Sequence, residues 1–452
     1  MYTKVPICKE DYEYQIADTR ETRMNWWREA RFGMFIHYGL YSVKGTHEWS
    51  MAYENYTQEE YMKFLENMTF DASAPEQWVK TAKDAGMKYI VLTTRHHEGF
   101  SLWDSAVNPY NSVNYGPGLD IVRLFVNACR KEGMRIGFYF SLMDWVHPDA
   151  WLCAVDAEAR LRFTAYLQGM LRELMTQYGK IDILWYDISR PMTSDEGWDS
   201  LRMNQMVREL QPDIIINNRS KLEEDFGTPE EKITAQNGDW EACMTFNGIS
   251  WGYIDSDCCT PYSYNAHEII RMLCKVTAES GNLLLNIGPK PDGSIPQEVL
   301  KPLHTVGAWL HKNPEAVYGK KIPTVVYRTN GLCSATEYGN KVWLWNWIWP
   351  DNGELRLGGF LSKLNRVKEL ATGQSVDFKQ TENYIKLINL SADFREPMLS
   401  ITVFELEFED RVEYARGYLY PQLHLGKTYT EQVERLKNRL QGPASAGRQE
   451  QL

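Results

Sequence analysis

The stretch EARLRFTAYLQGMLRELMTQYGKIDILWYD, residues 158–187, carries the reading of the fold. Phe163, Tyr166, Leu167, Met170, Leu171 and Leu174 recur at i, i+3, i+4, which lays an apolar stripe along a helix over 158–178. Gly179 ends that helix, and Ile181 to Tyr186 follows as a strand. A long helix that turns tightly into a short apolar strand is half of a parallel βαβ unit.

The same alternation recurs on both sides. Gly33 to His37 reads as the first strand, and a helix capped by Ser73, with Pro75 near its start, ends at Gly86 before the strand Tyr89 to Thr93. A helix over Asp120 to Lys131 leads past Gly133 to the strand Arg135 to Phe140. Helices at 201–210 and 265–279 lead to Asp213–Ile216 and Asn282–Leu285. Units of this kind close as a barrel or stay open as a doubly wound sheet, and periodicity does not choose between them. No glycine-rich phosphate loop follows the first strand, which weakens the nucleotide-binding version. Polar and aromatic residues gather directly after the strands, on what would be the C-terminal face of a barrel, where such folds keep their active sites.

After 313–319 the pattern changes to period two. Runs at 324–328, 341–349, 366–370, 384–388 and 400–408 predict a small antiparallel sandwich, with Trp343, Trp345, Trp347 and Trp349 on one strand face. Residues 1–316 are expected to form the barrel domain, 317–409 the sandwich, and 410–452 a C-terminal extension. In the extension, Tyr429, Val433, Leu436 and Leu440 share the face of a short amphipathic helix, a candidate homo-oligomer contact.

The chain has 452 residues and a net charge of −11, which argues against nucleic-acid or anionic-membrane partners. Its 16 Trp and 26 Tyr suit a neutral sugar ligand or, equally, an aromatic core. Met1-Tyr2-Thr3-Lys4 opens no apolar leader, and the eight Cys show no zinc spacing, so reduced thiols in the cytoplasm are expected. The pair Cys258-Cys259 has no account, and the Asn-X-Ser/Thr tripeptides at Asn55, Asn67, Asn218 and Asn389 are read as chance.

Asp187 ends its strand two residues after Trp185, a position for a nucleophile or for an ordinary loop cap. A partner acid would come from Glu223, Glu224, Glu230, Glu231 or Glu241, among which spacing does not select. His37, Glu48 and the pair His96-His97 offer ligands for zinc or iron, but no metal spacing supports them, and adjacent histidines at a strand end usually point apart. Hydrogen bonding to sugar hydroxyls suits these histidines better. Arg219 would fork onto hydroxyls or hold a carboxylate in its ionised form.

With these residues in view, the chain resembles glycoside hydrolase family 29, the α-L-fucosidases. The resemblance runs in order over roughly 25–320. It takes in Trp26-Trp27, Arg31-Phe-Gly-Met-Phe-Ile-His-Tyr-Gly-Leu-Tyr-Ser42, Glu48-Trp49, Tyr89-Ile-Val-Leu-Thr-Thr-Arg-His-His-Glu-Gly-Phe100 with Leu102-Trp-Asp-Ser105, and Gly137-Phe-Tyr-Phe-Ser141 with Asp144-Trp145. It continues through Leu184-Trp-Tyr-Asp187, Ile216-Asn-Asn-Arg219, Asp225-Phe-Gly-Thr-Pro-Glu230, Trp240-Glu241, Ser250-Trp-Gly-Tyr253 and Asn282-Leu-Leu-Leu-Asn-Ile-Gly-Pro289.

The resemblance implies a (β/α) TIM-like barrel with a C-terminal antiparallel β-sandwich, and a retaining exo-α-L-fucosidase working by double displacement on a fucosylated glycan, without cofactor or metal. Asp187 matches the nucleophile and Glu230 the acid/base, with Glu241 as the alternative acid/base. His37, Glu48, Trp49, His96, His97, Tyr139, Trp185 and Arg219 match positions lining the fucose pocket, and Trp251 falls near the wall for the C6 methyl. Tyr38 stands where the family usually has Trp, and Glu98 where it usually has Asp. The rival readings are a fucose-binding pseudoenzyme and a metal-dependent hydrolase using His37, His96 and His97.

Overall fold

In the computed structural model, residues 7–188, 190–257, 263–323, 332–335, 339–382 and 384–414 are described. The chain divides into two compact units, one covering most of the residues up to Gly319 and the other built mainly from Lys320 onward.

In the first unit, β1 (Phe32–Ile36), β2 (Tyr89–Arg95), β3 (Arg135–Ser141), β4 (Ile183–Asp187), β5 (Ile215–Ile216), β6 (Glu241–Met244) and β7 (Asn282–Ile287) form one parallel sheet in the order β5-β4-β3-β2-β1-β7-β6. Every residue of β1, β2 and β7 is buried, as a parallel sheet covered on both faces requires. Hence Phe32–Ile36, Tyr89–Leu92 and Leu283–Leu285 read as unbroken apolar runs. Gly33 is fixed by close approach: a Cβ there would stand 2.3 Å from the ring of Tyr89, its register partner. The covering helices include α1 (Lys9–Ala30), α2 (Ala74–Asp84), α3 (Ile121–Glu132), α4 (Ala157–Gln177), α5 (Ser200–Leu210), α6 (Ala266–Ala278) and α7 (Gln297–Lys312). The helices expected at 120–131, 158–178, 201–210 and 265–279 thus appear within two residues of their bounds. Ser73 does precede α2, but its side chain makes no capping bond. α1 has no counterpart in the sequence reading, because it buries few apolar side chains among many charged ones.

The two edges of this sheet do not meet directly; the segment Phe226–Glu230 lies between them. It bridges β5 through Asn217 and Phe226, and β6 through Glu230 and Cys243, both in parallel sense. Asn218 N donates to Phe226 O (3.1 Å), Glu241 N to Gly227 O (2.9 Å) and Cys243 N to Pro229 O (3.1 Å). The segment is therefore an eighth stave that closes a (β/α) barrel. Gly227 and Pro229 hide it from a reading based on strand propensity.

An ionic cluster fixes the start of this stave. The Asp225 carboxylate accepts from Arg23 Nε (3.0 Å) and Nη2 (2.6 Å), Arg208 Nη2 (2.9 Å) and the N–H of Ile216 (3.0 Å). Arg208 also reaches Glu224 at 2.6 Å. Burial alone would push the Asp225 carboxyl up, but Arg208 and Arg23 outweigh it and hold the group below its ordinary range.

The second unit contains two antiparallel sheets. β8 (Ile322–Pro323), β9 (Leu332–Ala335), β10 (Lys341–Asn346), β12 (Leu364–Glu369) and β15 (Thr402–Phe408) form one, and β11 (Leu355–Leu357), β13 (Asp377–Gln380) and β14 (Ile385–Ile388) the other. Val342, Leu344, Val367, Phe404 and Leu406 from the first share a core with Leu355, Leu357, Ile385 and Leu387 from the second, which makes a β-sandwich. The expected four-tryptophan face is corrected here. Trp343 and Trp345 alternate with the core residues Val342 and Leu344, but β10 stops at Asn346. Trp349 then packs against the sandwich core itself, its Nε1 donating to Ser400 O (3.3 Å). The expected strand at 324–328, the pair Cys258-Cys259 and the helix near 428–441 fall outside the described residues.

Truncating Asp225 to Ala leaves Arg23 and Arg208 buried without their shared counter-ion. It should cost about 3–5 kcal/mol in urea denaturation. A loss below about 1 kcal/mol, the worth of an exposed pair, would mean that the cluster does not anchor the stave.

Candidate active site

Asp187 is the last residue of β4, so its carboxylate emerges at the C-terminal rim of the barrel. Oδ2 accepts from the Tyr139 hydroxyl at 2.7 Å, and Oδ1 accepts from Arg219 Nη1 at 2.5 Å. Burial alone would raise this carboxyl. The Arg219 charge, the Tyr139 hydroxyl and the Ile188 N–H together hold it well below the usual carboxylate range. Asp187 is thus kept ionised, as a nucleophile must be. Ile188 takes φ of +35°, a strained value for a β-branched residue, immediately after the carboxylate.

Arg219 follows β5 in a short 3-10 turn (Asn218–Ser220). Its guanidinium lies 4.5 Å over the Trp185 ring, and its Nε donates to Thr228 Oγ1 at 2.9 Å. While Nη1 holds Asp187, Nη2 donates to Glu230 Oε2 at 2.8 Å. Glu230 closes the eighth stave, and its side chain is 43% exposed where that of Asp187 is 13%. Glu230 is thus the more open of the two carboxylates to solvent.

A cavity of about 400 Å³ surrounds them, lined by Phe35, His37, Trp49, His96, His97, Tyr139, Trp185, Asp187, Ile188, Arg219, Glu230 and Trp251. Of the candidates from the sequence, Glu48, Glu223, Glu224, Glu231 and Glu241 do not line it. Glu48 instead accepts from Ser250 Oγ (2.6 Å) and the N–H groups of Trp251 (3.0 Å) and Gly252 (3.4 Å), which fixes the segment carrying Trp251. Glu241 sits in the barrel interior, bonded to the Tyr89 hydroxyl and to Trp185 Nε1 (3.3 Å), and burial pushes it up to about 7.

His96 and His97 do not point apart as adjacent residues in a regular strand end would. Their ring centroids are 3.9 Å apart and both rings line the cavity, because they lie in the loop past the end of β2, where strand alternation no longer applies. His37 Nδ1 meets Asn286 Oδ1 at 2.7 Å, so that nitrogen carries the proton and Nε2 is left as an acceptor. Burial, aided by His96, pushes His37 down to about 3, and burial likewise pushes His97 down, so both are neutral at physiological pH. The Ser141 hydroxyl donates to Met143 O at 2.8 Å, so it accepts from His97 Nδ1 at 2.7 Å. His97 Nε2 therefore presents a lone pair 3.7 Å from Asp187 Oδ2. A hydroxyl donor from a ligand fits such acceptors. Among the described residues, no group of three His, Cys, Asp or Glu is arranged to hold a metal ion.

The sequence reading missed Phe35, Asn286, Ser141 and Thr228. Phe35 was within reach, since period two places it on the face of His37. Asn286 Nδ2 also donates to Trp251 O at 2.6 Å, tying His37 to that wall. Its position in β7 gave no sign of that partner.

Comparison with known proteins bears directly on this site. A family model described as Alpha-L-fucosidase matches residues 2–315. The tissue α-L-fucosidase of Mus musculus is 30% identical over 436 residues, spanning 88% of this chain and 92% of the mouse protein. Isoenzyme 1 of the α-L-fucosidase from Paenibacillus thiaminolyticus is 33% identical, covers 87% of this chain and 100% of its own, and superposes with a TM-score of 0.78. The GH29 α-L-fucosidase of Bacteroides thetaiotaomicron, solved as a trapped covalent intermediate with 2-fluoro-fucosyl fluoride, is 26% identical with a TM-score of 0.77, over 86% of this chain and 96% of its own.

The electrostatics of Asp187 can be tested independently of turnover. With the Asp carboxyl carbons labelled for NMR, Asp187 should stay ionised across the acid range in which the fold persists. Replacing Arg219 by Met removes the largest influence that lowers it, so its midpoint should move upward by about 1–3 pH units. An unchanged midpoint would show that Arg219 is not its counter-ion.

Proposed function

Because this chain belongs to the α-L-fucosidase family of glycoside hydrolases, we propose that Asp187 is the nucleophile and Glu230 the acid/base of its reaction. The protein is a retaining α-L-fucosidase, which removes terminal α-L-fucose by double displacement. The observation that carries the residue roles is the Arg219 guanidinium, which holds both carboxylates at one cavity.

Asp187 attacks the anomeric carbon while the bond to the leaving oxygen breaks, giving a covalent fucosyl-enzyme. Glu230 Oε2 accepts from Arg219, which leaves Oε1 as the oxygen free to carry the proton for the leaving group. The same group then takes a proton from the water that frees fucose with net retention. Sharing one guanidinium favours the short carboxyl separation of retaining enzymes, about 5–5.5 Å, over the roughly 6.5–9.5 Å of inverting ones. His37, His96 and His97 would accept sugar hydroxyls, Trp49 and Trp251 would pack against the ring and its methyl, and Glu48 would hold Trp251 in place. Glu241, enclosed below Trp185, is better suited to supporting the floor than to meeting a leaving group.

Fucosylated glycans are the proposed substrates, and the barrel, residues 1–316, is the proposed catalytic domain. Cys8, Cys129, Cys153 and Cys243 are free thiols, which supports a reducing compartment such as the cytoplasm. No helix among the described residues is long and apolar enough to cross a membrane. Assembly through residues 410–441 is proposed from the sequence, and truncation after Glu409 should lower the mass in light scattering if it holds.

Asp187→Gly should lose several orders of magnitude in kcat on an aryl α-L-fucoside, with azide restoring turnover by taking the place of the carboxylate. Glu230→Ala should spare that activated substrate far more than a natural glycoside, since it removes protonation of the leaving oxygen. NMR of the first product should show α-fucose. Near wild-type activity in the Asp187 variant, or β-fucose formed first, would refute the assignment.

A further inference from the structure

Glu98 follows the two cavity histidines and is 1% exposed, yet neither of its carboxylate oxygens has a hydrogen-bond partner. His96 Nδ1 is also buried and unpartnered, and it lies 3.4 Å from Glu98 Oε2. Two orphaned groups of complementary kind, a ring nitrogen and a carboxylate, thus face each other just short of a hydrogen bond. Arg95 Nε is likewise buried without a partner, while the other polar groups nearby are engaged elsewhere. The Tyr41 hydroxyl pairs with Thr93 Oγ1 (3.3 Å) and the Tyr61 hydroxyl with Ser50 Oγ (3.0 Å), while Arg95 is bound to Asp144 (2.6 Å) and to Ser141 O (2.6 Å). Gly39 keeps the space open, since a Cβ there would stand 2.9 Å from Glu98 Oε1.

We propose that Glu98 is a positioning residue for sugar binding. Its carboxylate accepts the Nδ1–H of His96 and fixes the tautomer whose Nε2 receives a hydroxyl proton of the fucosyl ring. A small torsion of either side chain closes the 3.4 Å gap. The three cavity histidines then share one device and differ in the group that anchors Nδ1: a neutral amide oxygen for His37, a hydroxyl for His97 and a carboxylate for His96. The charged anchor makes His96 the strongest hydroxyl acceptor of the three. The assignment rests on the fucosidase reading only for the identity of the ligand.

Two measurements on the full-length protein test it. With 15N-labelled histidine, His96 should be protonated at Nδ1 in the wild type and lose that preference in Glu98→Gln, whose amide can donate to the same nitrogen. On an aryl α-L-fucoside, Glu98→Gln should raise KM about tenfold, the loss expected for one well-formed hydrogen bond to the substrate, with kcat little changed. In a His96→Ala background the same change should have no further effect on KM, because its route to the sugar is gone. A wild-type His96 protonated at Nε2, or a Glu98→Gln penalty that adds in full to that of His96→Ala, would overturn the proposal. If the wild type cleaved no fucoside, the fucosidase reading would fall, while the NMR result would still decide the pair.

Discussion

One guanidinium holds the site together. Arg219 takes Asp187 on one terminal nitrogen and Glu230 on the other, with Thr228 on Nε and the Trp185 face beneath. A partly buried cation is stable when its charge and its donors are both satisfied, and here the partners come from β4 and from the eighth stave. The stave therefore has an ionic fastening at each end, Asp225 with Arg23 and Arg208 at its start and Glu230 with Arg219 at its close. Gly227 and Pro229 give it poor intrinsic strand character, so these ionic fastenings reinforce the ladder hydrogen bonds it makes to β5 and β6.

Much of this was legible in the sequence, and the failures have physical causes. Helix α4 and strand β4 could be read from 158–187 because the apolar period changes at Gly179 from one suited to a helix to one suited to a buried strand. The positions of His37, Tyr139 and Asp187 followed, since a residue that ends a parallel strand reaches the barrel rim. The eighth stave stayed hidden because it is defined by partners on β5 and β6 and not by its own residues. The approach of His96 to His97 depended on where β2 stops, and the placement of Trp349 on where β10 stops. Spacing carries no signal for such events. Nor could it separate Glu230 from Glu241, which lie 11 residues apart in the chain but on opposite sides of the Trp185 floor.

The cavity sets an ion pair, Asp187 with Arg219, beside buried histidines. Its histidines are surrounded by rings, His37 by Phe35 and Trp251, His97 by Trp49 and Trp145, and burial keeps His37 and His97 neutral. A neutral imidazole with one nitrogen anchored offers a lone pair in a fixed direction, which suits a polyol better than a cation does.

Enclosing Glu241 has a consequence for the acidity in which the fold is most secure. A carboxyl held near 7 in the folded chain but near 4.5 when unfolded keeps its proton only in the native state between those values. The folded form binds more protons there, so this residue withdraws stability as the solution is made more alkaline from about 4.5 to 7, and nothing further is lost above that. Asp187 and Asp225, held below their ordinary range, act in the opposite sense and weaken the fold only in stronger acid. The carboxyls inside this barrel therefore favour a mildly acidic medium, one that protonates Glu241 and spares the two aspartates.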